Sequence, residues 1–144
     1  MAAFCVGAFP ALRAELLVSE VMPGTEHDYV DEDGVSNDWI ELYNAGDSEV
    51  ELGLFSLTDD PQNLTKWQLP EAQLKPGEFL VVFASGKDRR NASVPHTNFK
   101  LKSEGEYLAL VLMEEKKVRQ EFLPALPSVA KSRSCGYLFR GGRM

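Results

Sequence analysis

Asp38-Trp39-Ile40-Glu41-Leu42-Tyr43-Asn44 alternates without a break. Ile40 and Leu42 point one way, while Trp39, Glu41 and Tyr43 point the other. Period-two alternation through Ile, Trp and Tyr predicts a strand with one buried face. The chain ahead of it is acidic. Glu15, Glu20, Glu26, Asp28, Asp31, Glu32, Asp33 and Asp38 come with no Lys or Arg among them. Ala45-Gly46-Asp47-Ser48 follows as a turn.

Working outward, nearly every periodic segment reads as strand. Residues 16–21 form the first, ended by the turn pair Pro23-Gly24. Residues 25–37 make a polar loop. Residues 50–52 are a short strand broken by Gly53. Residues 54–58 and 65–69 alternate and stop at Asp59-Asp60-Pro61 and at Pro70. Lys75-Pro76-Gly77 has Pro and Gly where a type II turn favours them. Residues 79–84 are continuously apolar, which predicts a strand buried on both faces in the middle of a sheet. Residues 98–102 read as a short strand, 103–106 as a hairpin-like turn, 107–112 as a second long apolar strand and 117–122 as the last. No window shows helical periodicity with caps. About nine short strands with regular turn signals predict an all-β fold, an immunoglobulin-like β-sandwich or a barrel.

The chain has 144 residues, 44% of them hydrophobic and 26% charged. That is the size and composition of one globular domain with one core. The net charge of -7 argues against unaided binding to phosphate backbones, so nucleic acid is not the expected partner. Cys5 and Cys135 form neither a disulfide framework nor a metal knuckle. Residues 1–14 read as a truncated signal peptide, with small residues around Leu12-Arg13-Ala14 and an apolar run too short to span a bilayer. Residues 15–123 read as the sandwich domain. Residues 124–144, rich in Pro, Ser, Arg and Gly, read as a linker or the truncated start of a further region.

Five segments in order carry a family resemblance. Asp38-Trp39-Ile40-Glu41-Leu42-Tyr43-Asn44 resembles the early core strand of the lamin-tail domain (LTD). Residues 53–60, with Phe55 beside the usual aromatic position, are similar to its "G-W-x-L-x-D" strand. Lys66-Trp67-Gln68-Leu69-Pro70 is similar to its "aromatic, then F-P" strand. Residues 74–82 resemble its "L-x-P-G-x-hydrophobic" turn and strand, and residues 105–110 its "G-E-x-hydrophobic-x-L" strand. The match is closer to the bacterial exported branch than to nuclear lamins. The acidic insert of residues 26–33 departs from lamins. The resemblance implies an immunoglobulin-like fold, no catalytic site and a binding or tethering role. A protein or extracellular polymer is then the expected partner, in an extracellular or cell-surface setting.

Candidate chemistry is sparse. Asp31-Glu32-Asp33-Gly34 followed by Asn37-Asp38 offers hard oxygen donors of the kind calcium takes. The register fails the calcium-loop template: Tyr29 occupies the first ligand position, and Ile40 stands where a bidentate Glu belongs. Asp31, Asp33 and Asp38 are therefore the weak metal candidates, against a solvated acidic turn with Asx-turns at Asp33 and Asn37. The alternative functional reading is a calcium-stabilised structural spacer whose catalytic partner lies outside this chain. No other cofactor is expected. Glu41 reads as a solvated or neighbour-paired strand carboxylate. His27 and His96 read as solvated loop histidines, and no Gly-x-Ser-x-Gly elbow is present, so no enzyme is expected. Lys87-Asp88-Arg89-Arg90 reads as a charged loop tip. Trp39, Tyr43, Phe55 and Trp67 read as packing rather than as a sugar platform.

Overall fold

The computed structural model describes residues 14–23, 29–102, 107–122 and 135–136. The expected signal segment, Cys5, His27 and the 103–106 turn lie outside the described residues. Ten strands are present among those described: β1 (Leu16–Met22), β2 (Asp38–Asn44), β3 (Val50–Glu51), β4 (Phe55–Thr58), β5 (Trp67–Gln68), β6 (Gln73–Leu74), β7 (Phe79–Ala84), β8 (Leu108–Leu112), β9 (Lys117–Phe122) and β10 (Cys135–Gly136). A single 3-10 turn, Leu52–Leu54, joins β3 to β4. One sheet runs β10-β1-β2-β7 and the other β5-β4-β8-β9, with β3-β6 as a small third pair. All named pairings are antiparallel. This is an immunoglobulin-like β-sandwich.

The alternation in β2 sets the layers. Ile40 and Leu42 are fully buried, while Trp39, Glu41 and Tyr43 are half-buried on the outer face. Val18 and Val21 of β1 and Val82 of β7 join Ile40 and Leu42 in the core. The second sheet supplies Phe55, Leu57, Leu108 and Leu110, with Trp67 fully buried beside them. Burying such side chains is worth roughly 1.5–3 kcal/mol each before entropy is counted. Asn44 closes β2 from inside the fold. Its amide donates to the carbonyls of Ser48 and Leu74, both at 2.8 Å, and its Oδ1 accepts from the Gly46 amide. Gly77, at φ +79°, takes the left-handed position of the 75–78 turn, where Glu78 N–H donates to Lys75 O at 3.1 Å. The turn expected at Lys75-Pro76-Gly77 forms as read.

The two sheets treat their outer faces differently. On β4, Ser56 and Thr58 are buried, and their hydroxyls donate to Leu64 and Asn63 carbonyls at 2.7 Å. The loop after β4 therefore covers that face. The outer face of the first sheet carries aromatic and carboxylate side chains, and Phe79 on it is 57% exposed.

Two expectations are corrected here. β7 is not a central strand. It pairs with β2 alone among the named strands and ends its sheet. Its apolar run is buried on both faces only over residues 82–84, where Tyr29 and His96 stack on Phe83; at the other end Phe79 lies on an open outer face. Residues 98–102 do not form a strand; Lys100 makes only an isolated bridge to Ser85. Thr97 takes the local backbone instead, its hydroxyl donating to Phe99 O at 2.6 Å. Such side-chain bonds compete with a ladder.

Candidate functional site

The acidic loop folds on itself before it meets anything else. Val30 and Ser36 bridge, Asp31 N–H donates to Val35 O at 2.9 Å, and Gly34 turns the chain at φ +74°. The Asp31 carboxylate is inaccessible and organises the loop. Its Oδ1 accepts from the Asp33 and Val35 amides, both at 3.0 Å, and its Oδ2 from the Asn37 amide at 2.6 Å. The Asx-turn therefore centres on Asp31, not on Asp33 or Asn37 as the sequence suggests.

The segment of residues 85–96 then docks against this loop. Lys87 Nζ pairs with Asp31 and also with Asp33 at 2.7 Å. Arg89 pairs with Glu32 at 2.6 Å and Asp33 at 2.8 Å. Lys87 and Arg89 are thus not a charged tip facing solvent; they neutralise a loop more than fifty residues away. Asp88, at φ +52°, accepts from the buried Trp67 indole N–H at 3.0 Å, which ties the segment to the second sheet.

His96 lies at the centre and is fully buried, against the solvated reading. Its Nδ1 meets Ser85 Oγ and its Nε2 meets Glu32 Oε2, each at 2.8 Å. Because Glu32 is a carboxylate, Nε2–H donates to it and Nδ1 accepts from the Ser85 hydroxyl, a tautomer assigned from the network. Ser85 Oγ in turn accepts the Lys87 amide at 3.2 Å. The ring stacks on Phe83 at 5.2 Å, and Tyr29 stacks on the other side of Phe83 at 5.6 Å.

Ser85, His96 and Glu32 stand in the order of a hydrolytic triad, which no sequence motif announced. The environment is that of a structural clamp. Ser85 is 5% exposed and His96 fully enclosed. A nucleophile must reach its substrate, and its base must be able to take up the proton and pass it on.

The charges act on the acids as expected. Burial pushes the Asp31 carboxyl up, but Lys87 and the Val35 and Asp33 amides outweigh it and hold it below the ordinary range. The His96 hydrogen bond holds Glu32 down. Lys87 and then Arg89 do the same for Asp33. Lys87 is raised by Asp31 and Asp33, and Arg89 by Glu32 and Asp33.

As a metal site the loop is rearranged relative to expectation. Asp31, Glu32 and His96 each offer a donor atom, all within 4.8 Å of one another. Asp33 and Asp38 are not in that group. Asp38 accepts the Leu101 amide at 2.9 Å, and Asp33 is engaged by Lys87 and Arg89. The Lys87 ammonium sits on Asp31, where a bound cation would compete with it.

The outer face of the first sheet is the second region of interest. Strand register lays three cross-strand rows on it: Leu17, Tyr43 and Phe79; Glu20, Glu41 and Val81; Met22, Trp39 and Phe83. Tyr43 and Phe79 stack at 4.4 Å. Trp39 meets Tyr29 edge-on at 6.2 Å, and its indole N–H is buried without a hydrogen-bond partner. Glu41 accepts from Ser19 Oγ at 2.7 Å, the neighbour pairing expected of it. Phe55 and Trp67 are buried in the core, as packing residues.

Fold and site together define an immunoglobulin-like module whose Ser85–His96 pair is enclosed. The family model of the lamin tail domain matches residues 10–121, and the chain belongs to that family. Its members are generally protein-interaction modules without catalytic function. No curated protein matches the chain. Among the described residues, no helix is long and apolar enough to cross a membrane.

Proposed function

We propose that this chain is the non-enzymatic binding or tethering domain of a secreted or cell-surface protein, with a protein or extracellular polymer as its partner. The observation that carries the reading is the outer face of β1, β2 and β7. Its Tyr43–Phe79 end is aromatic, exposed at Phe79 and uncovered among the described residues, whereas Tyr29 and His96 cover Phe83 at the other end and the loop after β4 covers Ser56 on the other sheet. The enclosure of Ser85 and His96 supports a non-enzymatic role. The test is cosedimentation of the purified domain with washed cell envelopes of the host. Retention that Y43S and F79S abolish is the expected result. Retention no greater than that of the two variants overturns the reading.

The calcium-stabilised spacer is the second reading, and the donor group of Asp31, Glu32 and His96 favours it. Lys87 and Arg89 already neutralise those carboxylates, so the expected thermal scan is the same in millimolar calcium and in chelator. A rise in melting temperature of several degrees with calcium would move the assignment to the spacer.

A further inference from the structure

The first sheet protects its edges unevenly. On β1, the Gln120 side chain brackets Val18, accepting its N–H at 2.8 Å and donating to its carbonyl at 3.1 Å; β10 pairs with Glu20 and Val21. On β7, Phe83 N–H donates to Pro95 O, and Phe83 O accepts from Thr97 N–H, both at 2.9 Å. These Phe83 groups point away from β2. Antiparallel ladders alternate, so the N–H and C=O groups of Val81 and Phe79 point the same way. Among the described residues nothing pairs with them. Half of β7 is an open edge, the arrangement that takes up an added strand.

The side chains beside that edge specify what the strand must carry. Phe79 is the most exposed large apolar residue among those described. In the next row Glu20 stands directly opposite Glu41. Like charges directly opposite one another are destabilising. No ion pair among the described residues reaches either carboxylate. Glu78, also exposed, adds a third acid at the start of the edge. Strands lie about 4.8 Å apart, so a residue added beside Val81 stands about 10 Å from Glu41, within reach of a long cationic side chain.

We propose that the open half of β7 captures an extended peptide segment of a partner protein, carrying an apolar residue beside Phe79 and an Arg or Lys two positions away beside Val81. The backbone of the segment pairs with Phe79 and Val81, and its cation meets Glu41, whose negative field the facing Glu20 strengthens. A second copy of this chain fits less well, because it would bring its own acids and its net charge of -7 to the same face. The inference rests on the binding-module reading and narrows it to one edge and one partner chemistry.

The test uses a fluorescent synthetic nonapeptide of threonines with one leucine and one arginine two residues apart. Anisotropy titration of the full chain is expected to show saturable binding. F79S, V81P and E41Q should each weaken it about tenfold or more, the size of a central anchor's loss. V81P removes an outward N–H at an edge position, where Pro is tolerated, and replaces the Val81 side chain; F79S and E41Q change side chains outside the core, so the series does not depend on one variant folding. Replacing arginine by glutamate in the peptide, or N-methylating its backbone, should abolish binding. Equal binding of the glutamate or N-methylated peptide overturns the proposal. So does dimerisation of the chain, lost in F79S, with no peptide bound. Envelope retention that Y43S and F79S abolish but V81P and E41Q leave intact overturns this inference alone; retention no greater than that of Y43S and F79S overturns the binding module itself.

Discussion

The two ends of β7 are built on opposite principles. At Phe83–Ser85 the strand is tied to other segments of the chain: the Phe83 backbone to Pro95 and Thr97, Ser85 to His96, His96 to Glu32, and nearby Lys87 to Asp31. At Phe79–Val81 the same strand leaves its outward backbone open beside an exposed ring and a pair of facing carboxylates. One end is closed by groups the chain supplies itself, and the other is left unpaired among the described residues. The difference separates a stabilising region from the proposed recognition region along six residues. It also means that stability and binding should respond to different substitutions.

The largest expected effect is at the closed end. H96A removes two hydrogen bonds and a buried ring, and should destabilise by about 3 kcal/mol or more in urea unfolding. A loss under about 1 kcal/mol would mean the clamp does not hold the fold. Next comes D31A, which strips the acidic loop of its organising carboxylate. About 2–3 kcal/mol is expected, since Lys87, two amides and Asn37 lose their shared acceptor. An unchanged urea midpoint would show that the loop closes without it.

Acid should open the same end. Asp31, Glu32 and Asp33 are all lowered from their ordinary values of 3.8, 4.5 and 3.8. A depressed carboxyl contributes stability that is present above its ordinary value and is lost as the pH falls through the folded one. The urea midpoint should therefore fall below about pH 4.5. In D31N/E32Q/D33N that acid slope should shrink, from a lower starting stability. Lys87 is raised from 10.5, so its share persists below that value and disappears only as the pH rises through the raised one. A triple variant with an unaltered acid slope would place the acid sensitivity elsewhere.

The smallest effect on stability is expected at the open end. F79S should shift unfolding by no more than about 0.5 kcal/mol, as surface changes do. If it destabilised as much as H96A, the ring would be a packing residue and the contrast between the two ends would fail.

How much of this was legible depends on the range of the signal. The β2 alternation, the 75–78 turn with Gly77 and β9 over residues 117–122 are written within a few neighbours, and the structure has them where the sequence places them. The two faces of β7 are not written there. An apolar run looks the same whether a second sheet strand or solvent lies beyond it, and only the pairing partners decide. His96 was misread because its partners lie 11 and 64 residues away. Lys87 was misread because Asp31 lies 56 residues away. Asp31 and Asp33 were named as the notable acids, but as free donors; the cations that occupy them come from another segment.

By itself, then, the order of alternating runs and turn residues determined an all-β fold, and five motif segments in order its resemblance to the lamin tail domain family, because side-chain periodicity, turn chemistry and short motifs are local properties. Which polar groups are satisfied, and which edge is left open, only the tertiary structure decided. Hydrogen bonds and ion pairs between segments dozens of residues apart depend on where the folded sheets bring those segments together.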